Sequence, residues 1–495
     1  MVGSSSLIIL SVLLLLAAFP PLNLSFLAFI ALVPFLLVLR SIQLTKHVHK
    51  GRLSFVAGYV FGLLYMGATH AWLFELVPFS SVKQLALLFV LYSAYLAFYY
   101  AAASYIFVKF TRSLYVFPFI WIAFETLRSL GQFGNPNGVI GFTQAYDLWF
   151  LSYASISGVA MVSFVVLSIN VVITYFMSAV IENDYRGPGL FIAFVYVLAL
   201  LGLPYTFNWS QGPQVQPVKL ALVQGNHSQN DKLNPLKRPQ IRDDYIAFSK
   251  ESIKAFQPDL LIWPETVSVG FNLNKKRFMS QVADLNTPIL FGTARQGKQA
   301  YYNSALLVSS ANIAVYDKLQ LMPFGEYWPY KRAFQQLQLG NIIPGSEYSF
   351  GQQQSLLSFK DWQIGMGICL ESLYAEHFYT QRLLGADFFV VLANGAWFHD
   401  STINERHLMM SLFRAVENGV YLFQTANTGL SAVVSPVGEI IRQSDINERV
   451  TLEADLDIVT LDTPYLKAGE SMANFSMGLM LLLCLKALVH LVRKR

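Results

Sequence analysis

Three reactive side chains follow short apolar segments of the chain, each at the point where the segment ends. Glu265 follows LLIWP, Lys318 follows IAVYD, and Cys369 follows IGMGI. A thiolate is a nucleophile, a carboxylate can act as its general base, and an ammonium group can stabilise an oxyanion. Together these residue types predict acyl transfer through a thioester on Cys369, with the main-chain N–H of Leu370 as a second oxyanion donor.

The thiol of Cys369 can be activated in two ways. A helix N-terminus or a nearby cation lowers the pKa of a thiol. Alternatively, Glu265 removes the proton during attack, which requires partial burial to raise the pKa of its carboxyl group. Taken singly, a cysteine is more often a small apolar core residue than a nucleophile. The occurrence of all three residues at strand ends favours a site, because ligands bind at strand ends in α/β sheets.

Histidines leave a second catalytic arrangement open. His227, His377, His399 and His407 lie in the same part of the chain, and any of them could form a Cys–His dyad with Cys369. No pair of them has a metal-binding spacing such as HExxH, so we expect no metal ion.

The composition describes the setting of these residues. Of the 495 residues, 54% are hydrophobic and 13% are charged, against roughly 25% charged in an average soluble domain. All but five of the 30 acidic residues lie between 212 and 470. These figures exclude a disordered chain, a fibrous chain and an ordinary cytosolic enzyme. They indicate an integral membrane protein that carries one water-soluble domain.

Eight apolar stretches approach the length of about 20 residues that crosses a bilayer. Seven precede the acidic region and one follows it: 6–22, 24–40, 54–74, 84–108, 114–128, 150–181, 188–207 and 473–491. We therefore predict a membrane domain of seven transmembrane helices in 1–211, a catalytic domain in 212–470, and an eighth helix with a basic tail in 471–495.

Basic residues predict the orientation of these spans. They occur after spans two, four and six and at the C-terminus: Lys46, Lys50, Arg52, Lys109, Arg112, Arg186 and the final Arg-Lys-Arg. If the spans alternate, all of these residues lie on one side, which is expected to be the cytoplasm. Both termini are then cytoplasmic, and the domain lies on the outer face of the membrane, which is the periplasmic side if the source is a Gram-negative bacterium. The net charge of +5 without a long basic run argues against a nucleic-acid partner.

Short apolar strands alternate with amphipathic helices within 212–470. Strands are predicted at 218–224, 258–264, 287–292, 302–309, 364–369, 387–393, 420–426 and 431–435, and helices at 240–256, 275–284, 371–384 and 403–418. This alternation predicts an α/β domain. Cys369 lies in this domain and Cys484 lies in the last apolar stretch, so we expect no disulfide.

Two further features have alternative explanations. Glu125 and Arg128, one turn apart near the end of span five, could pair with each other or Arg128 could bind a lipid phosphate, and we favour the pair. The aromatic residues of FGEYWPY at 324–330 could dip into the membrane interface or belong to the core.

Three motifs resemble those of a known superfamily. WPET with Glu265, YDKLQLMPFGE with Lys318 and Glu326, and GICLE with Cys369 resemble the Glu-Lys-Cys triad of the carbon–nitrogen hydrolase (nitrilase) superfamily. With the flanking spans, essentially the whole chain resembles the bacterial apolipoprotein N-acyltransferase family, as do the segments LMPFGEYWP, ANGAWFHD and NTGLSAVVSPVGEI. The resemblance implies a nitrilase-like α-β-β-α sandwich beside a multi-span helical membrane bundle.

The resemblance also implies a two-step reaction without a cofactor. Cys369 takes an acyl chain from a phospholipid, typically phosphatidylethanolamine, and the N-terminal amine of a diacylglyceryl-cysteine apolipoprotein then attacks the thioester. Glu265 is the general base, Lys318 stabilises the oxyanion, Glu326 supports the site, and Glu371 matches a further acidic position. We expect the protein to act as a monomer.

The sequence departs from the family pattern around the triad. Leu370 stands where the family usually has Tyr, Leu233 where it has Trp, and Gly395 where it has Asp, and the loop GNPNGVIGFTQ lacks the usual Pro-Trp and Gly-Tyr pairs. These changes bear on the acyl acceptor and the rate more than on the reaction type.

Other functions remain alternatives. One is a membrane-tethered amidase of the nitrilase superfamily that acts on a small amide, and another is a catalytically impaired lipoprotein-binding relative. A transporter is disfavoured, because few charged residues lie within the spans.

Overall fold

The computed structural model describes residues 2–45, 48–182, 202, 217–271, 276–297, 300–309, 312–330, 347–399 and 401–493. The chain forms two compact units. One comprises Met1–Phe74, Val82–Asn208 and Lys467–Arg495, and the other comprises Glu75–Ser81 and Trp209–Leu466. Residues 75–81, which the sequence places in the loop between spans three and four, thus belong to the second unit.

The first unit is helical throughout its described residues. Its helices are α1 (Val2–Ala17), α2 (Ala28–Ala31), α3 (Val33–Leu44), α4 (Lys50–Thr69), α5 (Val82–Phe110), α6 (Phe117–Arg128), α7 (Leu148–Leu151), α8 (Ala154–Glu182) and a C-terminal helix, Ser471–Arg493. Helix α8 is kinked at Ser157 and Gly158, whose backbone angles are not helical.

Apolar helices occur where the sequence predicts membrane spans. Within the described part of the chain, three segments are long and apolar enough to cross a membrane: Ser25–Leu44, Val82–Phe110 and Ala154–Ile181. Gly3–Ala17 and Ser471–Ala487 are shorter apolar helices. The predicted span 188–207 lies, apart from Gly202, outside the described residues.

Small residues allow α4 and α5 to pack closely. A Cβ atom on Gly58 would lie 2.4 Å from the hydroxyl of Ser104, and one on Gly62 would lie 2.8 Å from the Cα of Ala97. Small residues at such positions let helix backbones approach each other, which is how membrane helices gain packing energy.

Glu125 and Arg128 bind other groups rather than forming the direct pair that the sequence favoured. The Glu125 carboxylate accepts hydrogen bonds from the indole of Trp121, the N–H of Ile140 and the hydroxyl of Ser163. The Arg128 guanidinium donates to the carbonyls of Asn135 and Asn137, at 2.7 and 2.6 Å. Both side chains therefore fix the segment that follows α6, because that segment offers main-chain groups within the length of each side chain.

The second unit contains two β-sheets. The first has the order β13-β1-β2-β4-β5-β6, with β3 beside β4, and the second has the order β12-β11-β10-β9-β8-β7. The strands are β1 (Pro217–Gln224), β2 (Leu260–Ile262), β3 (Ser268–Phe271), β4 (Ile289–Gln296), β5 (Tyr301–Val308), β6 (Ile313–Asp317), β7 (Leu357–Phe359), β8 (Trp362–Ile368), β9 (Phe388–Ala393), β10 (Tyr421–Ala426), β11 (Ala432–Val434), β12 (Ile440–Gln443) and β13 (Val450–Asp457).

Helices cover the outer faces of the two sheets. They are α9 (Gln229–Leu233), α10 (Arg238–Ala255), α11 (Lys276–Ala283), α12 (Ala375–Leu383) and α13 (Ile403–Asn418). One core lies between the sheets, including Leu222, Ile262, Met366 and Val390. A second core lies between the first sheet and α10 and α11, and α12 and α13 contact the second sheet. The α-β-β-α sandwich that the resemblance implies is therefore confirmed.

Candidate active site

The sheet topology brings two of the predicted residues to one edge. Strands β2 and β4 are parallel, and β6 runs in the same direction as β4 because both are antiparallel to β5. Glu265 follows β2 within three residues and Lys318 follows β6 directly. Cys369 follows β8 of the facing sheet. All three residues thus occupy strand ends, as their sequence contexts predicted.

The turn that carries Glu265 is held by β4. The N–H of Gly292 donates to the carbonyl of Pro264 at 3.0 Å, and the N–H of Val267 donates to the carbonyl of Gly292 at 3.0 Å. A Cβ atom on Gly292 would lie only 2.6 Å from the Cα of Glu265. Strand β4 can therefore approach this turn because residue 292 has no side chain. The Glu265 side chain itself is buried.

Lys318 lies between two carboxylates. Its Nζ is 3.7 Å from Oε1 of Glu265 and contacts both oxygens of Glu326, at 3.0 and 2.9 Å. The Lys318 side chain is 2% exposed. A tight turn, in which Phe324 has a φ of 63°, directs Glu326 inward, and the N–H of Met322 donates to Oε2 of Glu326 at 2.7 Å. These contacts place the ammonium group without solvent around it.

Asn303 joins the two carboxylates and is absent from the predicted site. Its side-chain nitrogen donates to Oε1 of Glu265 and to Oε1 of Glu326, in each case at 2.7 Å. Its carbonyl accepts a hydrogen bond from the N–H of Lys318 at 2.8 Å. Asn303 therefore fixes the positions of all three charged groups. The one sequence signal that could have identified Asn303 is the occurrence of an asparagine within the apolar strand pattern YYNSALLV.

Cys369 has a strained backbone conformation and a partly accessible side chain. Its φ is 49°, in the left-handed region, which costs a residue other than glycine about 1–3 kcal/mol. Its side chain packs partly against the core between the sheets and remains partly accessible. The main-chain N–H of Asn394, which directly follows β9, is near enough to the sulfur to lower the pKa of the thiol slightly. Cys484 is also a free cysteine.

The thiol is not activated by a lowered pKa, which corrects one of the two routes considered above. Burial raises the pKa of the Cys369 thiol and the negative charge of Glu265 adds to this, whereas Lys318 and the Asn394 N–H oppose it with smaller effects. The helix that begins at Cys369 is a 3₁₀ segment of five residues, too short for a substantial dipole. A base must therefore take the proton as the sulfur attacks.

Glu265 and Lys318 have the protonation behaviour that such a site requires. Burial raises the pKa of Glu265, and the charge of Lys318 opposes this only in part. Burial would lower the pKa of the Lys318 ammonium, but the carboxylates of Glu326 and Glu265 outweigh burial and raise it. Lys318 therefore stays charged, and Glu265 can exchange a proton closer to neutral pH than an exposed glutamate.

Glu371 is a structural residue of the site, because its hydrogen bonds go to main-chain and hydroxyl groups next to the triad. Its side chain is fully buried and accepts four hydrogen bonds: from the Tyr316 hydroxyl and the N–H groups of Leu319, Gln320 and Ile368, at 2.9, 2.6, 3.1 and 2.7 Å respectively. These donors flank Lys318 on one side and Cys369 on the other. One carboxylate thus ties together the strand ends that carry the ammonium group and the thiol.

The histidines do not form the alternative dyad. His407 Nε2 lies 2.6 Å from the carbonyl oxygen of Cys369, not on the sulfur. His377 bonds within a network of Tyr316, Gln381 and the Met366 carbonyl. Among the described residues, no group of three or more His, Cys, Asp or Glu side chains is arranged to hold a metal ion.

The departures from the family pattern have separate locations. Leu370 is half-buried beside Cys369, and the Leu233 side chain is exposed at the end of α9. Gly395 lies in a crowded position: a Cβ atom there would be 2.4 Å from the Asn404 side-chain oxygen and 2.7 Å from the Thr428 carbonyl. An aspartate at 395 would therefore require these groups to move.

Aromatic residues lie close in sequence to Glu326 and to Asn394. The rings of Phe324 and Trp328 meet at 5.6 Å, whereas Tyr330 is 58% exposed, so FGEYWPY is neither a buried core segment nor a fully exposed one. Phe79, from the segment 75–81, contacts the ring of Trp397 at 5.0 Å. Trp397 lies three residues after Asn394, the residue whose main-chain N–H lowers the pKa of the Cys369 thiol.

Comparison with known proteins gives matches on both units. The family model described as apolipoprotein N-acyltransferase N-terminal domain matches residues 11–172, and the carbon-nitrogen hydrolase model matches residues 219–463. An apolipoprotein N-acyltransferase from Geobacter metallireducens is 29% identical over 483 residues, which cover 94% of this chain and 91% of the relative. One from Pasteurella multocida is 28% identical and covers 97% and 94%.

Solved structures resemble about half of the chain. Nit3 from Saccharomyces cerevisiae, described as a member of branch 10 of the nitrilase superfamily, aligns with a TM-score of 0.39 and 18% identity, covering 50% of this chain and 93% of Nit3. Family membership rests on the sequence matches, which cover both units and nearly the full length of the two relatives. The chain belongs to the apolipoprotein N-acyltransferase family of the carbon–nitrogen hydrolase superfamily, and it is a membrane-associated acyltransferase of lipoprotein biosynthesis.

Proposed function

We propose that the protein transfers a fatty acyl chain from a phospholipid to the N-terminal amine of a diacylglyceryl-cysteine apolipoprotein, through a thioester on Cys369. Glu265 is the general base and Lys318 stabilises the oxyanion. The observation that carries this proposal is the buried ammonium of Lys318 between Glu265 and Glu326, a cluster whose charges act on the Cys369 thiol, while burial raises the pKa of that thiol. Such a thiol needs the adjacent base that this cluster supplies.

In the first step, Cys369 attacks the ester carbonyl carbon of the phospholipid while Glu265 takes the thiol proton. The carbonyl electron pair moves to oxygen, where Lys318 and the N–H of Leu370 stabilise it. When this intermediate collapses, the carbon–oxygen bond to glycerol breaks. Glu265 returns its proton to the glycerol oxygen, so a lysophospholipid leaves and the acyl chain remains on sulfur.

In the second step, the amine of the apolipoprotein attacks the thioester carbonyl. Glu265 takes a proton from the nitrogen as the carbon–nitrogen bond forms, and the carbon–sulfur bond then breaks. The proton passes to the departing sulfur, which restores Cys369 and gives an N-acylated lipoprotein. Glu326 and Asn303 hold the charged groups in place through both steps.

The helices of the first unit suit substrates that are anchored by acyl chains. Exposing a buried CH₂ group to water costs about 0.8 kcal/mol, so an acyl chain of phospholipid length resists extraction from the bilayer. A site that is tethered to membrane helices lets the chains stay in lipid while the ester and the amine reach the thiol. We propose phosphatidylethanolamine as the usual donor.

We further propose the arrangement of the chain in the cell. Residues 1–211 form the seven-helix membrane domain, 212–470 the catalytic domain on the periplasmic side, and 471–495 the eighth helix with a cytoplasmic tail. The protein acts as a monomer in the bacterial inner membrane. The distribution of basic residues supports this orientation.

A transfer assay tests the proposal. The purified full-length protein is mixed with phospholipid vesicles that carry an isotope-labelled acyl chain and with a diacylglyceryl-cysteine peptide, and the peptide mass is followed. We expect one labelled chain on the α-amine, and no product with the same peptide acetylated at that amine. Ammonia release from soluble amides, without acylation of the peptide, would instead support the amidase alternative.

A further inference from the structure

Lys232 is a second buried lysine beside Glu265, and it has no role in the reaction described above. Its side chain is 3% exposed, and its Nζ lies 3.3 Å from the main-chain carbonyl oxygen of Glu265. It lies in α9, whose first turn is capped by the Ser228 hydroxyl accepting from the N–H of Asp231. Lys232 directly precedes Leu233, which stands where the family usually has Trp.

The location is unusual for an amine. Burial of an ammonium group is costly unless a partner or a neighbouring charge compensates it. Within the described part of the chain, the one hydrogen-bond acceptor of the Lys232 ammonium is the carbonyl of Glu265. The negative charge that acts on it is the Glu265 carboxylate. Both compensating groups thus belong to the same residue.

The charge balance of the site explains what this amine contributes. Lys318 lies closer to Glu326 than to Glu265. Its Nζ contacts both carboxylate oxygens of Glu326 but is 3.7 Å from the Glu265 carboxylate. The cluster of Glu265, Glu326 and Lys318 alone would hold two negative charges and one positive charge in a buried space. Lys232 adds the second positive charge.

We propose that Lys232 is a positioning residue for Glu265, which holds the main chain of the proposed base and supplies the positive charge that keeps its carboxylate ionised beside Glu326. The inference rests on the proposed function, in which Glu265 must be ionised to accept the thiol proton. It adds a second ammonium group to the site, one that acts on the base rather than on the substrate.

Two other titratable or charged groups of the described residues interact with Lys232. One is His227, before α9, and the other is Arg238 of α10, whose Nε donates to the Lys232 carbonyl at 3.2 Å. Strand β3, which also packs against α9, has no titratable residue in its sequence SVGF. Burial lowers the pKa of His227 to about 4, so it is neutral at physiological pH.

The positive charge of Lys232 also depends on pH. Burial lowers its pKa to about 7, against the opposing effect of Glu265. As the pH rises through this value Lys232 loses its charge, and the ionised form of Glu265 loses a stabilising neighbour.

The experiment compares Lys232→Met and Lys232→Gln with Lys237→Met in the full-length protein. Lys237 is a matched control, because it lies five residues later on an exposed surface and pairs with Asp231. Protonation of Glu265 is followed against pH by the infrared stretch of its carboxyl group, which is assigned by its loss in Glu265→Gln. We expect a midpoint about one pH unit higher in both Lys232 variants, as for the loss of an opposite charge nearby, and no shift in Lys237→Met.

The same variants are then tested for thioester formation against pH. We expect the acid limb of the profile to move upward with the infrared midpoint, so that the loss of rate is largest at low pH and shrinks as pH rises. Lys232→Gln retains a hydrogen-bond donor to the carbonyl, so it separates the charge from the main-chain contact. An unchanged midpoint in both variants, or an equal loss of rate at every pH, would overturn the inference.

The two readouts keep this inference separate from the proposed function. The infrared titration needs no acyl substrate, so it decides the role of Lys232 even if Cys369 never carries an acyl chain. A normal midpoint shift together with no thioester in any variant would overturn the proposed function and leave the effect of Lys232 on Glu265 standing.

Discussion

His407 Nε2 donates a hydrogen bond to the main-chain carbonyl of Cys369 across 2.6 Å. Because a carbonyl can only accept, this contact fixes the ring in the tautomer that carries the proton on Nε2. Burial lowers the pKa of His407 to about 4, so the ring is uncharged across the physiological range. Its role is therefore to hold the strained backbone of Cys369, whose φ of 49° needs support from its surroundings.

Replacing His407 separates this supporting role from catalysis as a base. We expect His407→Phe to slow thioester formation roughly tenfold, the effect of about 1.4 kcal/mol of lost positioning. The pH profile between 5 and 8 should keep its shape, because the wild-type ring does not titrate there. A loss of roughly 10⁴-fold, together with the disappearance of a limb of the profile, would support a Cys–His dyad instead. Stopped-flow measurement of acyl loading gives both quantities.

The pH dependence of thioester formation should report the carboxyl of Glu265. Its pKa is raised above the ordinary value of 4.5, chiefly by burial. A base must be ionised to act, so the rate should fall as the pH drops through this raised pKa, and the acid limb should therefore lie above pH 4.5. Glu265→Gln should abolish the limb and lower the rate by roughly 10²–10⁴-fold. A variant that retains the acid limb would show that another group titrates.

Asn303 offers a test of the charge balance. Asn303→Asp keeps the shape of the side chain but places a third carboxylate between Glu265 and Glu326. We expect a loss of rate of roughly 10²-fold or more, because like charges at this spacing raise the pKa of a carboxyl strongly. Asn312→Asp is the control, since Asn312 is exposed in the turn before β6. Equal effects of the two variants would contradict the assignment of Asn303.

Glu371 should matter for stability as well as rate. The variant Glu371→Gln replaces one acceptor oxygen with a donor, which then faces an N–H or hydroxyl donor. An unsatisfied buried group costs about 1–3 kcal/mol, so the free energy of unfolding should fall by that amount. Glu376→Gln, five residues later and exposed, should leave it unchanged. Denaturant titration of the purified protein in detergent measures the difference. An unfolding midpoint equal to that of the control would mean that Glu371 does not tie the strand ends together.

Local pattern predicted much of the fold because the signals were local. The strands β1, β5, β8, β9 and β10 are apolar runs bounded by turn residues, and each was predicted within about two residues. Strand β4 was also predicted, but it extends to Gln296, beyond the predicted end at 292. The helices α10, α11 and α13 were predicted equally well. The missed strands are β3, β6, β7, β12 and β13. Strands β3 and β7 have only 4 and 3 residues, and β6, β12 and β13 lie at sheet edges, where few of their residues are buried.

The contacts that complete the site were not predictable because they are not local. Asn303 reaches Glu265 across 38 residues of sequence, and Lys232 reaches the Glu265 carbonyl across 33. Their burial depends on how β5 and α9 pack, which no single segment encodes. Glu265 and Cys369 could be identified because each follows an apolar run that is visible in its own segment, and Lys318 could be identified from the motif YDKLQLMPFGE.

The central claim is that Cys369 holds an acyl chain between donor and acceptor. The direct test is the intact mass of the full-length protein after incubation with phospholipid vesicles and no amine acceptor. We predict a gain of one acyl group on the wild type and on Cys484→Ala, no gain on Cys369→Ala, and loss of the group when a diacylglyceryl-cysteine peptide is added. Acylation of Cys369→Ala to the wild-type level, or an acyl group that the peptide does not remove, would contradict the account.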